Sequence, residues 1–332
     1  MRIATYNVEW FNSLFDDAGA LIGGTSWSSR RDVTKEQQTQ ALGRVFKALD
    51  ADAIMVIEAP DTSRQRDGAR ALEGFAAQFD LRARTALMGF VNDTQQEITL
   101  LFDPDIFTAR HDPQAAADAP RFDQSFEIDL DIDATPDMVS FSKPPLEVAV
   151  QAKGFAFRMI GVHAKSKAPH GARTPQEVMR LSIANRRKQL AQCIWLRKRV
   201  EQHLCAKEPL IVLGDFNDGP GLDEYEKLFG RSSVEIVLGT GKDALFDPHA
   251  RMALTQKIGA FPTSSRFFLK HENRYLQALL DYIMVSGSVR ALSPRWRIWH
   301  PFEDAGCFHM PELRDALLTA SDHFPVTLDL TV

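Results

Sequence analysis

The segment Leu210-Ile211-Val212-Leu213-Gly214-Asp215-Phe216-Asn217 decides the fold class of this chain. Its first four residues are apolar, and Gly214 and Asp215 end the run. A short apolar run bounded by Gly and Asp is typical of a buried β-strand. Polar residues that follow such a strand lie at the sheet edge, where layered α/β folds bind ligands. The segment therefore predicts a buried strand whose end carries two candidate functional residues, Asp215 and Asn217.

Seven further runs of strand length occur along the chain, and most are bounded by Gly, Pro or Asp. They are Arg2–Val8, Ala53–Glu58, Ile98–Phe102, Leu146–Ala152, Phe155–His163, Leu279–Val285 and Val326–Val332. Only Lys153-Gly154 separates the run that ends at Ala152 from the run that begins at Phe155. A two-residue connection suits a tight antiparallel hairpin. We therefore predict a sheet that is mixed or antiparallel rather than purely parallel.

Two helix starts are marked by capping sequences. Thr34-Lys35-Glu36-Gln37 has the form of a capping box, and an apolar stripe follows it as far as Leu49. Thr174-Pro175-Gln176-Glu177 combines an N-cap Thr, a Pro at the first helical position and a Glu at the third. This second helix is predicted to run to about Cys205. We interpret its many Arg and Lys residues as a solvent-facing side rather than a nucleic-acid-binding stripe.

The composition is that of an average globular protein. The 332 residues are 44% hydrophobic and 25% charged, which excludes a disordered chain, a collagen-like fibre and a disulfide-stapled scaffold. Thirty-nine Lys and Arg stand against 44 Asp and Glu, for a net charge of −5, so a strongly cationic coat for nucleic acid is absent. A local basic groove stays open. The three Cys have no metal-ligand spacing, and we expect reduced thiols.

The sequence also suggests an organisation and a location. We find no repeat, linker or break in composition, and we predict one domain over 1–332 with a surface excursion at about 109–140, which is acidic and rich in Ala, Asp and Pro. No stretch of 18 apolar residues occurs, so we expect no membrane insertion. The first residues alternate like a strand and lack a signal core, which favours a cytoplasmic location. Nothing indicates an obligate protein partner.

Polar residues also mark other predicted strands. Asn7 and Glu58 lie at the ends of the first two, Asp281 lies within a later one, and Asp322 and His323 precede the last. Taken singly, Asp215 and Asn217 suit a turn after a strand, Glu58 suits an exposed strand end, and Asp322 with His323 suits a helix or strand cap. Gathered at one sheet edge, however, their carboxylate and amide oxygens would form a site suited to Mg²⁺ or Mn²⁺ rather than to Zn²⁺.

In order and spacing, these segments resemble the endonuclease/exonuclease/phosphatase superfamily, which has the deoxyribonuclease-like fold. The matching segments are Thr5–Val8, Val56–Glu58, Gly161–His163, Leu213–Asn217, Leu280–Ile283 and Ser321–Pro325. The superfamily includes abasic-site endonucleases, secreted nucleases, neutral sphingomyelinases and inositol polyphosphate phosphatases. The resemblance implies an α/β fold, a four-layer sandwich of two mixed, mainly antiparallel β-sheets flanked by helices.

The resemblance also implies roles at a metal site. Glu58 matches the principal metal-binding carboxylate, and Asn7 and Asp322 match residues close to the same ion. Asp215 matches the residue that orients and deprotonates the attacking water. Asn217 matches the residue that holds this water or the phosphate. The implied cofactor is Mg²⁺ or Mn²⁺.

Further positions resemble phosphate-binding residues. His323 with Asp281 matches a His–Asp couple that contacts the scissile phosphate. His163 stands where many members carry His and abasic-site endonucleases carry Tyr, which counts against a dedicated abasic-site enzyme. Two basic segments are candidate substrate contacts. They contribute Lys165 and Lys167 from a His-x-Lys-Ser-Lys segment, and Lys143, which stands where relatives usually carry Arg.

The expected function is therefore divalent-metal-dependent phosphodiester hydrolysis, with nucleic acid as the first candidate substrate. A phosphodiester is anionic, so attack by water requires charge neutralisation and a nucleophile held in line. We predict a nuclease that cleaves DNA or RNA by metal-assisted in-line attack of water. The alternative is a phosphatase or phosphodiesterase acting on a phospholipid, a nucleotide or an inositol phosphate. A catalytically dead binding module is a third interpretation.

Overall fold

The computed structural model of the chain describes residues 1–130, 136–169, 171–219, 230–255, 261–269 and 273–332. Its strands are β1 (Arg2–Asn7), β2 (Ala53–Ala59), β3 (Thr85–Met88), β4 (Glu97–Phe102), β5 (Phe107–His111), β6 (Ser125–Ile128), β7 (Asp137–Ser140), β8 (Leu146–Ala152), β9 (Phe155–His163), β10 (Leu210–Asp215), β11 (Ser265–Leu269), β12 (Arg274–Ala278), β13 (Asp281–Val285), β14 (Arg295–Ile298) and β15 (Val326–Asp329). Its α-helices are α1 (Lys35–Leu49), α2 (Gly68–Gln78), α3 (Pro175–Cys205), α4 (Ser233–Leu238), α5 (Pro248–Thr255), α6 (Gly287–Arg290), α7 (Ala305–Phe308) and α8 (Pro311–Ala320).

Two large sheets form the centre of the described structure. The first has the strand order β14-β15-β1-β2-β4-β3, and the second has the order β13-β10-β9-β8-β5. Between described strands, β1 pairs with β2 and β9 pairs with β10 in parallel, whereas the other pairings in these sheets are antiparallel. The prediction of two mixed, mainly antiparallel sheets is confirmed.

Alternating side chains of the strands build three apolar layers. The layer between the two sheets contains Ile3, Met55, Ile57 and Leu100 from the first sheet and Val148, Met159, Leu213 and Ile283 from the second. The outer face of the first sheet packs on α1, α2 and α8 through residues that include Tyr6, Val56, Phe46, Leu72 and Leu317. The outer face of the second sheet packs on α3 and α4 through residues that include Ile160, Val212, Trp195 and Val237. Successive residues of a strand point to opposite faces, so one strand serves two layers. The four-layer α/β sandwich is confirmed.

The strongest local signals of the sequence agree with the structure. β8, β9 and β10 have the predicted bounds, and both capping boxes form, with Thr34 and Thr174 accepting from the amides of Gln37 and Glu177. The β8–β9 hairpin turns at Lys153 and Gly154, which have φ angles of 50° and 80°. Two positive φ values match the type I′ turn, whose twist suits a two-residue hairpin.

Two arginines of α3 differ from the expected solvent-facing side. Arg186 and Arg199 are each only 1% exposed, and they form ion pairs of 2.8 Å with Asp218 and 2.9 Å with Glu147. A buried guanidinium needs a nearby carboxylate to offset the loss of hydration. Because both partners are distant in the sequence, the charge pattern of the helix alone did not identify these positions as buried.

The acidic stretch at 109–140 contributes to both a sheet and a core. β5 ends within it at His111, β6 and β7 pair as antiparallel strands, and Phe122 lies against Trp195 of α3. Residues 131–135 of the predicted excursion lie outside the described residues. No helix among the described residues is long and apolar enough to cross a membrane.

The close approach of the two sheets depends on Gly161 of β9. A Cβ atom at this position would lie 2.5 Å from Sδ of Met55 and 2.9 Å from Cγ2 of Ile98, both in the facing sheet. The absence of a side chain therefore lets β9 pack directly on β2 and β4. The consequence reaches the site, since β9 ends two residues later at His163.

We predict that Gly161→Ala destabilises the protein by about 1–3 kcal/mol, because overpacking forces neighbouring side chains or backbone to shift. Gly74→Ala is the matched control, since nothing lies within 4 Å of a Cβ there. Gly74 is exposed within helix α2, so Gly74→Ala is expected to stabilise the protein by about 0.5–1 kcal/mol, because Gly loses more conformational freedom than Ala in a helix. Urea unfolding followed by circular dichroism measures both. Equal free energies of unfolding for Gly161→Ala and the unsubstituted protein would contradict the packing argument.

Candidate active site

The ends of four central strands meet at one edge of the sandwich. Asn7 ends β1, Glu58 lies near the end of β2, His163 ends β9 and Asp215 ends β10. Nδ2 of Asn7 donates to Oδ2 of Asp215 at 3.0 Å. Nε2 of His163 lies 3.7 Å from Oδ2 of Asp215 and 3.9 Å from Oε1 of Glu58. The two parallel strand pairs thus bring their carboxyl ends into direct contact.

A His–Asp pair lies beside this meeting point. Asp281 faces Asp215 across the β10–β13 ladder, and Nδ1 of His323 donates to Oδ2 of Asp281 at 2.8 Å. Nε2 of His323 then lies 3.9 Å from both Asp215 and Asp322. The same Oδ2 of Asp281 accepts from Oγ of Ser264 at 2.8 Å. These two hydrogen bonds fix the imidazole ring with Nε2 directed at the carboxylates.

Two site residues have backbone conformations that most side chains avoid. Glu58 has a φ of 61° at an irregularity in the β2–β4 pairing between Ile57 and Ala59, and Asn217 has a φ of 50°. A bulge redirects the side chain that it contains. Left-handed conformations cost about 1–3 kcal/mol in residues other than Gly and persist where surrounding contacts hold them. Here they aim Glu58 and Asn217 at the strand ends.

Asn217 folds back onto Asp215 with two hydrogen bonds and makes a third to Ala164. Its backbone amide donates to Oδ1 of Asp215 at 2.7 Å, and its Nδ2 donates to Oδ2 of Asp215 at 3.1 Å. Nδ2 also donates to the carbonyl of Ala164 at 3.1 Å. The Asp215 carboxyl is therefore held by Asn7 from one sheet and by Asn217 from its own loop.

Burial and the charge of the oppositely charged neighbour act in opposite directions on the pKa of each of these groups, and the net effect raises all three pKa values. Burial raises the pKa of Asp215 to about 7, against the opposing effect of His323, and burial also raises the pKa of Asp322. Burial by itself lowers the pKa of His323, but the charges of Asp281 and Asp215 outweigh it and raise that pKa well above its ordinary value. At neutral pH His323 is therefore an imidazolium among carboxyl groups.

His163, unlike His323, is a neutral imidazole. Burial, followed by the charges of Lys143 and His323, lowers the pKa of His163 well below its ordinary value. Burial also lowers the pKa of Lys143, although Glu58 and Asp215 oppose this effect. Nζ of Lys143 donates to Nε2 of His163 at 3.3 Å, a contact that requires a neutral imidazole. Lys143 thus lies beside the strand ends, and its contact with a phosphate stays a prediction.

The donor set fits a hard divalent cation. Single ligand atoms of Asp215, Asp281 and His323 all lie within 4.8 Å of one another. Oδ1 of Asp281 is buried and has no hydrogen-bond partner in the part of the chain that the structure describes. Oε2 of Glu58 is already occupied by two donors, which leaves Oε1 directed toward His163. Carboxylate oxygens in this number suit Mg²⁺ or Mn²⁺ chemically.

The two lysines of the predicted substrate segment have different surroundings. Nζ of Lys167 donates to Oδ1 of the fully buried Asp218 at 2.7 Å. Lys165 is partly buried, and burial together with the charge of Lys188 lowers its pKa. Among the described residues, Lys165 forms no ion pair with a carboxylate, so its ammonium group is the better placed of the two to meet an anion.

Sequence reasoning did not identify Gln96 and Trp10, which orient Glu58. Nε2 of Gln96 donates to Oε2 of Glu58 at 2.7 Å, and the backbone amide of Trp10 donates to the same oxygen at 2.8 Å. Gln96 is 8% exposed and directly precedes β4. Its position before a predicted strand was the one available signal, because its partner lies 38 residues away.

Comparisons with known proteins agree with this fold. The model of the endonuclease/exonuclease/phosphatase family matches residues 4–323. Truncated TDP2 from Caenorhabditis elegans superposes with a TM-score of 0.52 at 12% identity, covering 100% of this chain and 97% of that chain. A mannosyl-6-phosphatase from Bacteroides thetaiotaomicron gives 0.51 at 16% identity, with 100% of both chains covered. An endonuclease/exonuclease/phosphatase family protein from the same organism gives 0.50 at 15%, covering 99% of this chain and 96% of that one. No curated protein sequence matches significantly.

We predict that Gln96→Met weakens binding of Mn²⁺ by about 10- to 100-fold, because a carboxylate that loses its orienting donor binds a cation less well. Isothermal titration calorimetry with MnCl₂ measures the dissociation constant without any substrate. Gln95→Met is the control, since the side chain of the neighbouring Gln95 makes no hydrogen bond among the described residues. An unchanged dissociation constant in Gln96→Met would show that the hydrogen bond to Glu58 does not support cation binding.

Proposed function

Because the chain belongs to the endonuclease/exonuclease/phosphatase family, whose members hydrolyse phosphoesters, we propose that it is a divalent-metal-dependent phosphodiester hydrolase that cleaves DNA or RNA. The observation that carries the proposal is the contact between Asp215, held by Asn7 and Asn217, and the His323–Asp281 pair. In this arrangement the carboxylate of Asp215 is a proton acceptor, the side chains of Asn7 and Asn217 are amide donors, and the imidazolium of His323 supplies positive charge. Hydrolysis of an anionic ester needs all three.

The proposed cofactor is Mg²⁺ or Mn²⁺, held by Glu58 with Asn7 and Asp322 nearby. Bound there, the cation would neutralise charge on the phosphoryl oxygens and lower the pKa of a water molecule. Asp215 and Asp281 supply further carboxylates at the same strand ends, where single ligand atoms of these two residues and of His323 lie within 4.8 Å of one another. The described residues thus supply several carboxylate oxygens for the proposed cation, and not those of Glu58 alone.

Asp215 is the proposed acceptor of the proton from the attacking water. A pKa of about 7 makes its carboxylate far more basic than an exposed Asp near neutral pH. The two hydrogen bonds from Asn217 direct both carboxylate oxygens, so the proton acceptor has a defined orientation. Asn217 would exchange one of these bonds for a phosphoryl oxygen or for the water.

His323 is the proposed donor to a phosphoryl oxygen. Its Nδ1 is bound to Asp281, which leaves Nε2–H of the imidazolium for the substrate. A charged donor forms a stronger hydrogen bond to phosphate than a neutral one. The neutral His163 and the adjacent Lys143 lie on the other side of Asp215, where they would contact the phosphate or the leaving oxygen.

A polynucleotide is the proposed substrate because cations adjoin the site. Lys143 and Lys165 are candidate contacts for neighbouring phosphates, and Lys167 is a third whose ammonium also binds Asp218. The net charge of −5 favours the second candidate, a phosphatase or phosphodiesterase with a phospholipid, nucleotide or inositol phosphate substrate. Both candidate functions hydrolyse a phosphoester by the same reaction at phosphorus. They differ in the substrate, which for a nuclease extends beyond the reacting phosphate to neighbouring phosphates.

We predict that the purified protein nicks supercoiled plasmid DNA or cuts single-stranded RNA in the presence of Mg²⁺, and that EDTA abolishes cleavage. Asp215→Asn is expected to lower the rate by about 10²- to 10⁴-fold, because it removes the proton acceptor. Gel electrophoresis over a time course measures the rate. Asp105→Asn is the matched control, since Asp105 is exposed and pairs with Arg84.

Two outcomes would contradict the nuclease proposal. Hydrolysis of nucleotides, inositol phosphates or sphingomyelin without cleavage of DNA or RNA would assign the second candidate function. If no phosphoester is hydrolysed and calorimetry detects no uptake of Mg²⁺ or Mn²⁺, the chain is a binding module and not an enzyme.

We predict that Asp281→Asn moves the alkaline limb of the pH profile to lower pH. The charge of Asp281 raises the pKa of His323, so its removal lowers that pKa and the imidazolium is lost at a lower pH. The profile of kcat/KM for bis(p-nitrophenyl) phosphate reports this limb in the free enzyme. An unshifted alkaline limb in an active Asp281→Asn variant would exclude a required imidazolium at position 323.

A further inference from the structure

Gln189 of α3 is buried between the two loops that leave β9 and β10. Its side chain is fully inaccessible, and its Nε2 donates to three backbone carbonyls, at 2.9 Å to Lys165, 3.2 Å to Phe216 and 3.0 Å to Asn217. One side-chain amide therefore joins the loop after His163 to the loop after Asp215. An NH₂ group has two hydrogens, so two of these carbonyls share one of them.

The opposite atom of the amide fixes its orientation. Oε1 of Gln189 accepts from Nη1 of Arg186 at 2.9 Å and from Oγ of Ser233 at 3.2 Å. A flipped amide would direct Nε2 at the Arg186 donor and Oε1 at the carbonyls, so it would lose these hydrogen bonds. Each atom of the amide thus has partners that only one orientation satisfies.

The segment that Gln189 holds carries the chemistry. Asn217 has a left-handed backbone conformation, with a φ of 50°, and it orients Asp215 through its own amide groups. A residue other than Gly keeps such a conformation only where its surroundings hold it. The hydrogen bonds from Gln189 to the carbonyls of Phe216 and Asn217, on the two sides of Asn217, provide that constraint. Movement of this segment would move both the proton acceptor and the amide donor.

A second anchor follows directly. The carboxylate of Asp218 is fully buried and accepts from Nζ of Lys167 at 2.7 Å, from the backbone amide of Ser233 at 2.6 Å and from Nη1 of Arg186 at 2.8 Å. Arg186 therefore contacts both Gln189 and Asp218. These contacts tie helix α3 to the residues immediately after Asn217, so the loop is held at two adjacent points.

We propose that Gln189 is a positioning residue for hydrolysis, which holds Asp215 and Asn217 in the reactive arrangement through their backbone. The inference rests on the proposed function, because it assigns a role within that reaction. Gln189 touches neither the proposed substrate nor the proposed cation. Its loss should therefore slow the chemical step more than it weakens substrate binding.

Two variants of Gln189 test this role. Gln189→Met has a similar length and lacks both polar atoms. Gln189→Glu is nearly isosteric, keeps an acceptor for Arg186 and Ser233, and removes the donors to the three carbonyls. Both are expected to lower kcat for bis(p-nitrophenyl) phosphate by about 10- to 100-fold, since small misplacements of reacting groups have effects of this size. KM is expected to change by less than about threefold, because ground-state binding is not involved.

Gln192→Met is the matched control on the same helix. Gln192 is 2% exposed, and it bonds the carbonyl of Ser140 and the amide of Lys165 at 3.0 and 2.9 Å, but no atom of residues 215–217. Its substitution removes two buried hydrogen bonds, against five for Gln189→Met, so the melting temperature should fall by less, whereas kcat should stay within about threefold of the unsubstituted protein. The control separates the two causes of a lower kcat in the Gln189 variants, which are displacement of residues 215–217 and a general loss of stability.

Hydrogen–deuterium exchange provides a readout that does not depend on activity. The amide of Asn217 is bonded to Asp215, and its exchange should accelerate in both Gln189 variants but not in Gln192→Met. Unchanged kcat in Gln189→Glu, equal losses of kcat in Gln189→Met and Gln192→Met, or unchanged exchange at 213–219 would each overturn the inference. If the unsubstituted protein hydrolyses no phosphoester, the proposed function fails, and the positioning role of Gln189 in hydrolysis fails with it even where exchange accelerates.

Discussion

The contact between the carboxyl ends of β1 and β10 is the interaction on which the rest of the structure depends. Asn7 and Asp215 end these strands, and their hydrogen bond joins the two sheets at one edge. Each strand belongs to a parallel pair, and a parallel pair requires a crossover that returns the chain to the same end. Helix α1 provides this crossover in the first sheet and α3 in the second. The helices therefore occupy the outer faces, the sheets face each other, and the four strand ends converge.

This convergence has an electrostatic consequence. Asp215, Asp281 and Asp322 are crowded around His323, and burial of like charges is unfavourable unless donors and cations offset it. The side-chain amide of Asn7 and the positive charge of His323 offset part of this charge. Three carboxylates around one imidazolium still leave an excess of negative charge, and burial raises the pKa values of Asp215 and Asp322. A divalent cation supplies further positive charge of the kind that such an excess favours. The stability of this edge and the proposed chemistry thus depend on the same cluster of groups.

The sequence predicted the features whose causes are local. Strands β8, β9 and β10 and the starts of α1 and α3 follow from apolar runs, a two-residue turn and capping boxes, and each involves neighbours within a few residues. The candidate site residues could be named from their order along the chain, and the structure brings them to one edge. Helix α2 (Gly68–Gln78) and the sheet position of β5 were not predicted, because their boundaries depend on packing rather than on strong local signals.

By itself, the sequence determined the main strand segments and the family, since strand periodicity and motif order are properties of the chain alone. The resemblance to that family implied the two-sheet architecture and phosphoester hydrolysis. Only the tertiary structure decided which polar residues support the site. Gln96 reaches Glu58 from 38 residues away, Gln189 reaches Asn217 from 28, and Lys167 reaches Asp218 from 51. The buried state of Arg186 and the charge states of the site depend likewise on surroundings that fold together from distant segments. Burial, hydrogen bonding and pKa are set by neighbours in space, which sequence spacing does not specify.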